Sequence, residues 1–246
     1  MEGSDASGGF FRTTQWTVLL KPIRERSAQA EAALNELCKL YVPPLRSFVE
    51  RWPNPQRGAG CYNQHDAQDI VQDFIATLLK HDAFERPQRD KGRFRTFLLV
   101  SLKRFLINRF RSQTAEKHGS GALHEQLGEL GAAEPADPKT VESEFDRRWA
   151  WTLLEAAISQ VKEKYAERGQ ADRFDDLKGC LPGGPPMLSR DELAGKWAVP
   201  VGAVDKAIHD LRKKVKTAVQ DHIASTVETP EEAAEELKYL MTAIGK

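Results

Sequence analysis

Two stretches of this chain carry residue types that could do chemistry, and they lie close together. The first is Asp66-Ala-Gln-Asp-Ile-Val-Gln-Asp-Phe; the second is Lys91-Gly-Arg-Phe-Arg-Thr-Phe-Leu-Leu-Val-Ser-Leu-Lys-Arg-Phe-Leu. Asp66, Asp69 and Asp73, with Gln72 beside them, fall at i, i+3 and i+7, so they share one side of a helix. Such a row is a solvated face or a docking face. In the second stretch the cations can grip phosphates while aromatic rings stack on unpaired bases, which suits an opened nucleic-acid strand. A further basic cluster, Arg212-Lys213-Lys214 with Lys216 beyond, points the same way.

Catalytic chemistry finds little support. The sequence holds no Gly-rich phosphate loop with its lysine and no nucleophile elbow. His65, His81, His118, His124, His209 and His222 are scattered without a triad-like pattern. Cys38, Cys61 and Cys180 are odd in number and widely spaced, so neither a disulfide framework nor a metal set is expected. His65 with the aspartates could suggest a metal site, but such rows are usually surface, and no metal or cofactor is expected. The expectation is a binding protein, not an enzyme.

With 40% apolar and 29% charged residues the composition is that of a globular protein. No apolar run approaches the roughly 18 residues of a membrane span. The first residues lack the layout of a signal peptide, so a cytoplasmic location is expected. Net charge is zero, which argues against indiscriminate nucleic-acid binding but hides local asymmetry. Arg93, Arg95, Lys103, Arg104, Arg109 and Arg111 crowd one segment, whereas Glu228, Glu231, Glu232, Glu235 and Glu236 make the far end acidic.

Periodicity places these residues on helices. Residues 1–27 form an N-terminal extension whose first nine, Gly-rich and polar, are expected to be disordered. A helical period runs from Ala28 to Trp52, with a kink or break expected at Pro43-Pro44. Asp66 to Lys80 reads as an amphipathic helix with Ala67, Ile70, Val71, Phe74, Ile75, Leu78 and Leu79 inward. Residues 82–93 read as a charged loop, and a third helix spans Phe94 to about Arg111. Phe97 is favoured over Phe94 as its core aromatic. Gly and Pro among Ala, Glu and Ser mark 114–143 as a flexible linker between a domain at 28–113 and another at 144–226. From Glu144 the stripe Phe145, Trp149, Leu153, Leu154, Ala157, Ile158, Val161 and Tyr165 predicts a long helix.

Ser189-Arg-Asp-Glu192 has capping-box form and opens a short helix. Val199-Pro-Val-Gly202 is expected to turn into a helix from Ala203 to about Ala218. That pair has helix-turn-helix layout. Thr229-Pro-Glu-Glu caps a last, acidic helix within 227–246. It is expected to be solvated and to pack by Leu237 and Leu240, with shielding of the basic helix or a partner contact as alternatives. No strand pattern competes, so the fold class is all-α with two helical domains.

Together the segments resemble the extracytoplasmic-function class of bacterial RNA polymerase sigma factors, within the sigma-70 family. A subgroup abundant in planctomycetes is the nearest in pattern. The resemblance rests on Thr13-Thr-Gln-Trp-Thr-Val-Leu-Leu, Asp66-Ala-Gln-Asp-Ile-Val-Gln-Asp-Phe, Gly92-Arg-Phe-Arg-Thr-Phe-Leu-Leu-Val-Ser-Leu-Lys, Glu144-Phe-Asp-Arg-Arg-Trp-Ala and Asp191-Glu-Leu-Ala with Gly202-Ala-Val. It implies a region 2-like domain whose acid row, Asp66, Asp69, Gln72 and Asp73, docks on the β′ clamp helices of core RNA polymerase. It implies that Phe84, Arg86, Lys91, Arg93, Phe94 and Arg95 lie in or beside the loop that holds an extruded promoter base. Lys103, Arg104, Asn108, Arg109 and Arg111 would then face −10 DNA.

The same resemblance implies a region 4-like domain that reads the −35 element. Lys206, His209, Arg212 and Lys213 are its candidate base contacts and Lys214 and Lys216 its phosphate contacts, with the β flap of the polymerase as a further surface. Control by an anti-sigma or other inhibitory protein is also implied. The chain departs from the family pattern at Ala198, Pro200, Asp205 and Asp210, and carboxylates beside a phosphate track are repulsive. Two rivals therefore stand beside the sigma reading. One is a stand-alone helix-turn-helix regulator, the other a sigma-like adaptor that binds polymerase without reading promoters.

Overall fold

The structure, a computed structural model, describes residues 28–54, 60–80, 94–118, 137–224, 226–227 and 229–244. Among these the architecture is all-α, with one isolated bridge between Pro53 and Cys61 in place of any strand. The helices are α1 (Ala28–Val49), α2 (Gln64–Lys80), α3 (Phe94–His118), α4 (Pro138–Glu167), α5 (Ala171–Leu177), α6 (Arg190–Trp197), α7 (Val201–Ala224) and α8 (Pro230–Ile244). Residues 1–27, the loop 82–93 and most of the 114–143 segment lie outside the described residues.

The central element is α4. It packs on α1, α5, α7 and α8, and its buried residues widen the expected stripe, leaving Arg148, Glu155, Ser159 and Lys162 on a solvent side. Phe145, Trp149, Ala150, Leu153 and Ala157 are almost fully buried. Phe48 on α1 meets Phe145 edge-on, with ring centroids 6.1 Å apart. Burying a side chain of this size stabilises the fold by about 1.5–3 kcal/mol, so α1 and α4 tie the N-terminal and C-terminal blocks into one apolar core.

Several boundaries differ from those the sequence suggests, among them the end of α3, which runs on to His118 instead of stopping near Arg111. Helix α1 continues through Pro43 and Pro44 without a break. Each proline removes an amide donor at a cost of about 3 kcal/mol, but Leu40, Tyr41, Leu45, Phe48 and Val49 are buried on both sides of the pair. Tertiary packing outweighs the local penalty. Helix α2 starts two residues early because Asn63 caps it, its side-chain oxygen accepting from the Asp66 amide at 2.8 Å. Helix α4 starts at Pro138 because Asp137 accepts from the Thr140 amide and Pro138 takes the first helical position. Helix α7 starts at Val201, so Val201 and Gly202 belong to its first turn, and it runs on to Ala224.

The capping box at α6 is present: the Ser189 hydroxyl accepts from the Glu192 amide, and Glu192 accepts from the Ser189 amide at 2.8 Å. Helix α6 closes through Ala198, a non-glycine residue at φ 53°. The Val199 amide reaches the Ala194 carbonyl at 3.0 Å, the pattern of a Schellman ending. Residues 198–200 then form the turn into α7. The same capping arrangement recurs at α8, where Thr229 and Glu232 exchange bonds.

Candidate functional site

Helix α2 carries the acid row outward. Its buried face, Ala67, Ile70, Val71, Phe74 and Leu78, turns Asp69, Gln72 and Asp73 to solvent and leaves Asp66 half-buried. Asp69 lies 3.4 Å from the His65 imidazole, and Asp73 accepts from Arg109 of α3 at 3.0 Å. Both carboxylates are more than half exposed, so these pairs are weak and easily exchanged.

Helix α3 sorts its polar residues onto three sides. Arg104, Asn108 and Arg111 are exposed along an i, i+4, i+7 stripe that also carries Thr96 and Val100. Arg104 and Arg111 have no ion-pair partner among the described residues. Arg109 turns to Asp73 on α2. Lys103 turns to Glu142 on α4, and Arg95 enters the interior. Phe94 is buried edge-on to Tyr41, centroids 5.0 Å apart, while Phe97 is only half-buried. That order is the reverse of the one expected: the first residue of α3 points into the junction with α1.

Arg95 sits in a closed box. The residue is 7% exposed, and its guanidinium pairs with Asp146 of α4 and with Glu236 of α8, the latter at 3.0 Å from Nε. Its carbon centre lies 5.2 Å from the Trp149 ring and 4.6 Å from the Tyr239 ring, both within cation–π range. The Tyr239 hydroxyl donates to Asp146. Burial alone would weaken the hold of Arg95 on its proton, but Asp146 and Glu236 outweigh it and raise its pKa. Burial first, then the Asp146 carboxylate, pushes the Tyr239 hydroxyl up to about 12. In this arrangement neither Phe94 nor Arg95 is presented to solvent.

Helix α8 has the exposed acids Glu231 and Glu235 expected of it, but departs from that picture at Glu236. Leu237 and Leu240 do pack inward, but Glu236 is 1% exposed while Met241 is 67% exposed. Glu142, Asp146, Glu236 and Tyr239 were absent from the sequence-derived site, although a signal existed. Glu236 lies three residues after Ala233 and four before Leu240, in line with the apolar stripe. Asp146 sits between Phe145 and Trp149 in the same way. A carboxylate within a buried stripe needs a cation, and Arg95 answers both.

Helix α7 presents its cations openly. Val204, Ile208, Leu211 and Val215 are buried, and Lys206, His209, Lys213 and Lys216 face the opposite side, all exposed. Lys206, Lys213 and Lys216 have no ion-pair partner among the described residues. Arg212 and Lys214 flank this face. Arg212 donates to the Cys180 carbonyl at 3.1 and 3.2 Å, and Lys214 lies 4.5 Å over the Tyr165 ring. Asp205 is held by Arg190 of α6 at 2.5 Å, which offsets its charge beside the basic face. The α6–α7 unit is fixed to α5 through Asp176, which accepts from Lys196 at 2.5 Å and from the Trp197 indole at 2.9 Å. Those bonds, led by the one from Lys196, hold the Asp176 carboxyl below its usual range.

Phe84, Arg86, Lys91 and Arg93 lie outside the described residues. Their neighbours on either side, α2 and α3, are the helices just described. Residues 37–116 match the family model of sigma-70 region 2. The matched span runs from the middle of α1 to the end of α3 and covers both the acid row and the basic-aromatic run. It supports a sigma-70 type sigma factor, with RNA polymerase and promoter DNA as partners and a part in promoter melting. No curated protein and no solved structure matches the chain significantly. No described helix is long and apolar enough to cross a membrane.

Proposed function

We propose that this protein is a sigma factor of the extracytoplasmic-function type, of the subgroup abundant in planctomycetes, acting in the cytoplasm to direct RNA polymerase to a restricted set of promoters. The observation that carries this reading is the coincidence of the region 2 match with two oppositely charged exposed faces, followed by a helix-turn-helix with an open basic side.

Each face has a role. Asp66, Asp69, Gln72 and Asp73 offer carboxylates to the β′ clamp helices. Phe84, Arg86, Lys91 and Arg93 capture the non-template strand as it opens, with Phe94 and Arg95 beside them. Stacking at roughly 1–3 kcal/mol per base helps offset unpairing. The exposed stripe Arg104, Asn108 and Arg111, joined by Lys103 and Arg109, tracks the −10 DNA. Lys206, His209, Arg212 and Lys213 enter the −35 major groove while Lys214 and Lys216 meet phosphate. The exposed pair between Asp205 and Arg190 softens one of the two repulsive carboxylates beside that track. The bond-making chemistry belongs to the polymerase, and an anti-sigma protein would act by covering these faces.

Run-off transcription on genomic fragments tests the reading. Purified protein with core polymerase should give discrete products. Arg93→Glu with Arg109→Glu should keep polymerase binding and abolish promoter opening. Polymerase binding with no promoter-dependent product would instead favour the adaptor reading, which the ion-paired state of Arg95, Lys103 and Arg109 also suits.

A further inference from the structure

The cations of α3 that turn away from solvent are held by acids from elsewhere in the chain. Reading α3 and α4 antiparallel, Arg95 meets Asp146 and Lys103 meets Glu142. Those two acids are one helical turn apart on α4. Helix α8 adds Glu236 and the Tyr239 ring to Arg95 from the other side. The box around Arg95 therefore encloses one cation and two carboxylates, all nearly buried. The second carboxylate adds desolvation cost that a single guanidinium offsets only in part, so the closure is set near balance. Helix α8 also leaves Tyr239 partly exposed and Met241 mostly so, and its outer side faces solvent.

We propose that α8 is an autoinhibitory clasp: Glu236 and Tyr239 hold the first turn of α3 closed against α4 and keep Arg95 from nucleic acid. This inference rests on the sigma reading only for the nucleic acid concerned, promoter DNA with an opened strand. Displacing α8 strips one carboxylate and one aromatic ring from Arg95 and opens that side of the guanidinium to a phosphate or base. The acid row of α2 is exposed whether the clasp is open or shut, so polymerase docking is independent of it.

The test uses the full chain with Glu236→Gln and, separately, Tyr239→Phe, which keeps the ring and removes the hydroxyl that bonds Asp146. Met241→Ala, on the exposed side of the same helix, is the control. Two quantities are read: amide hydrogen exchange over residues 94–100, and affinity for a forked DNA oligonucleotide without polymerase. Both clasp variants should exchange faster than wild type over 94–100 and bind the fork at least about fivefold tighter, the low end for coupling between two sites. The control should change neither. Should Glu236→Gln fail to fold, Tyr239→Phe decides alone, since Tyr239 lies at the rim. Unchanged exchange overturns the clasp, and faster exchange with unchanged, weaker or absent fork binding overturns its inhibitory role. Co-elution with core polymerase, measured in parallel, bears on the sigma reading alone.

Discussion

Helices α3 and α7 are both basic in sequence, yet the structure uses their charge in opposite ways. On α3, Arg95, Lys103 and Arg109 are paired with acids from α4, α8 and α2. On α7, Lys206, Lys213 and Lys216 stand in solvent, and Asp205 pairs with Arg190 at the surface. A count of cations along the chain would rank the two alike. Their fields differ because Arg95 is paired inside a low-dielectric junction and adds little at a distance, with Lys103 and Arg109 in part-exposed pairs between the extremes, whereas an exposed row steers phosphate. On the proposed reading the α7 face would meet duplex DNA as it stands, whereas Arg95 on α3 would first have to be released.

The largest contrast should come from stability. Arg95→Ala leaves Asp146 and Glu236 facing each other without a cation, and should cost roughly 3–5 kcal/mol in denaturant unfolding. Lys213→Ala on α7 should stay within about 0.5 kcal/mol of wild type. Equal effects from the two would erase the distinction between a buried and an open cation.

The second contrast is in DNA binding. Lys206→Glu, Lys213→Glu and Lys216→Glu together should weaken duplex binding about a hundredfold at low salt and lower the salt slope by about three, with stability unchanged. Arg104→Ala with Arg111→Ala should spare duplex binding and weaken binding to a forked oligonucleotide instead. A triple variant that binds duplex as wild type does would remove α7 as the groove-reading helix.

The smallest effect concerns the turn that aims α7. Ala198 holds a left-handed conformation that costs a non-glycine residue about 1–2 kcal/mol. Ala198→Gly should therefore stabilise the protein by up to about 1 kcal/mol in thermal or denaturant unfolding, with DNA affinity unaltered. Destabilisation would mean that the Ala198 methyl makes a contact worth more than the strain.

Helices and their faces were legible in the sequence because periodicity reports burial directly. Ile70, Val71 and Phe74 on α2, and Val204, Ile208 and Leu211 on α7, follow the expected stripe and are buried. The Ser189–Glu192 box and the Thr229 cap were legible too, since each needs only residues three apart. The passage of α1 through Pro43-Pro44 was not, because long-range burial decides it against local propensity. Nor was the Arg95 box, whose members lie 51 and 141 residues apart in the chain. Sequence periodicity could mark Glu236 as a carboxylate inside an apolar stripe, but only the packed structure brings it to Arg95.

The central claim is that α2 docks on polymerase, and size-exclusion chromatography with bacterial core RNA polymerase at moderate salt tests it most directly. The wild-type protein should co-elute with the enzyme. Asp69→Arg with Asp73→Arg should elute apart while unfolding at the wild-type midpoint, because both carboxylates are largely exposed. If folded wild-type protein elutes apart from the polymerase with no inhibitor present, the docking assignment is wrong, and the helix-turn-helix regulator becomes the better account.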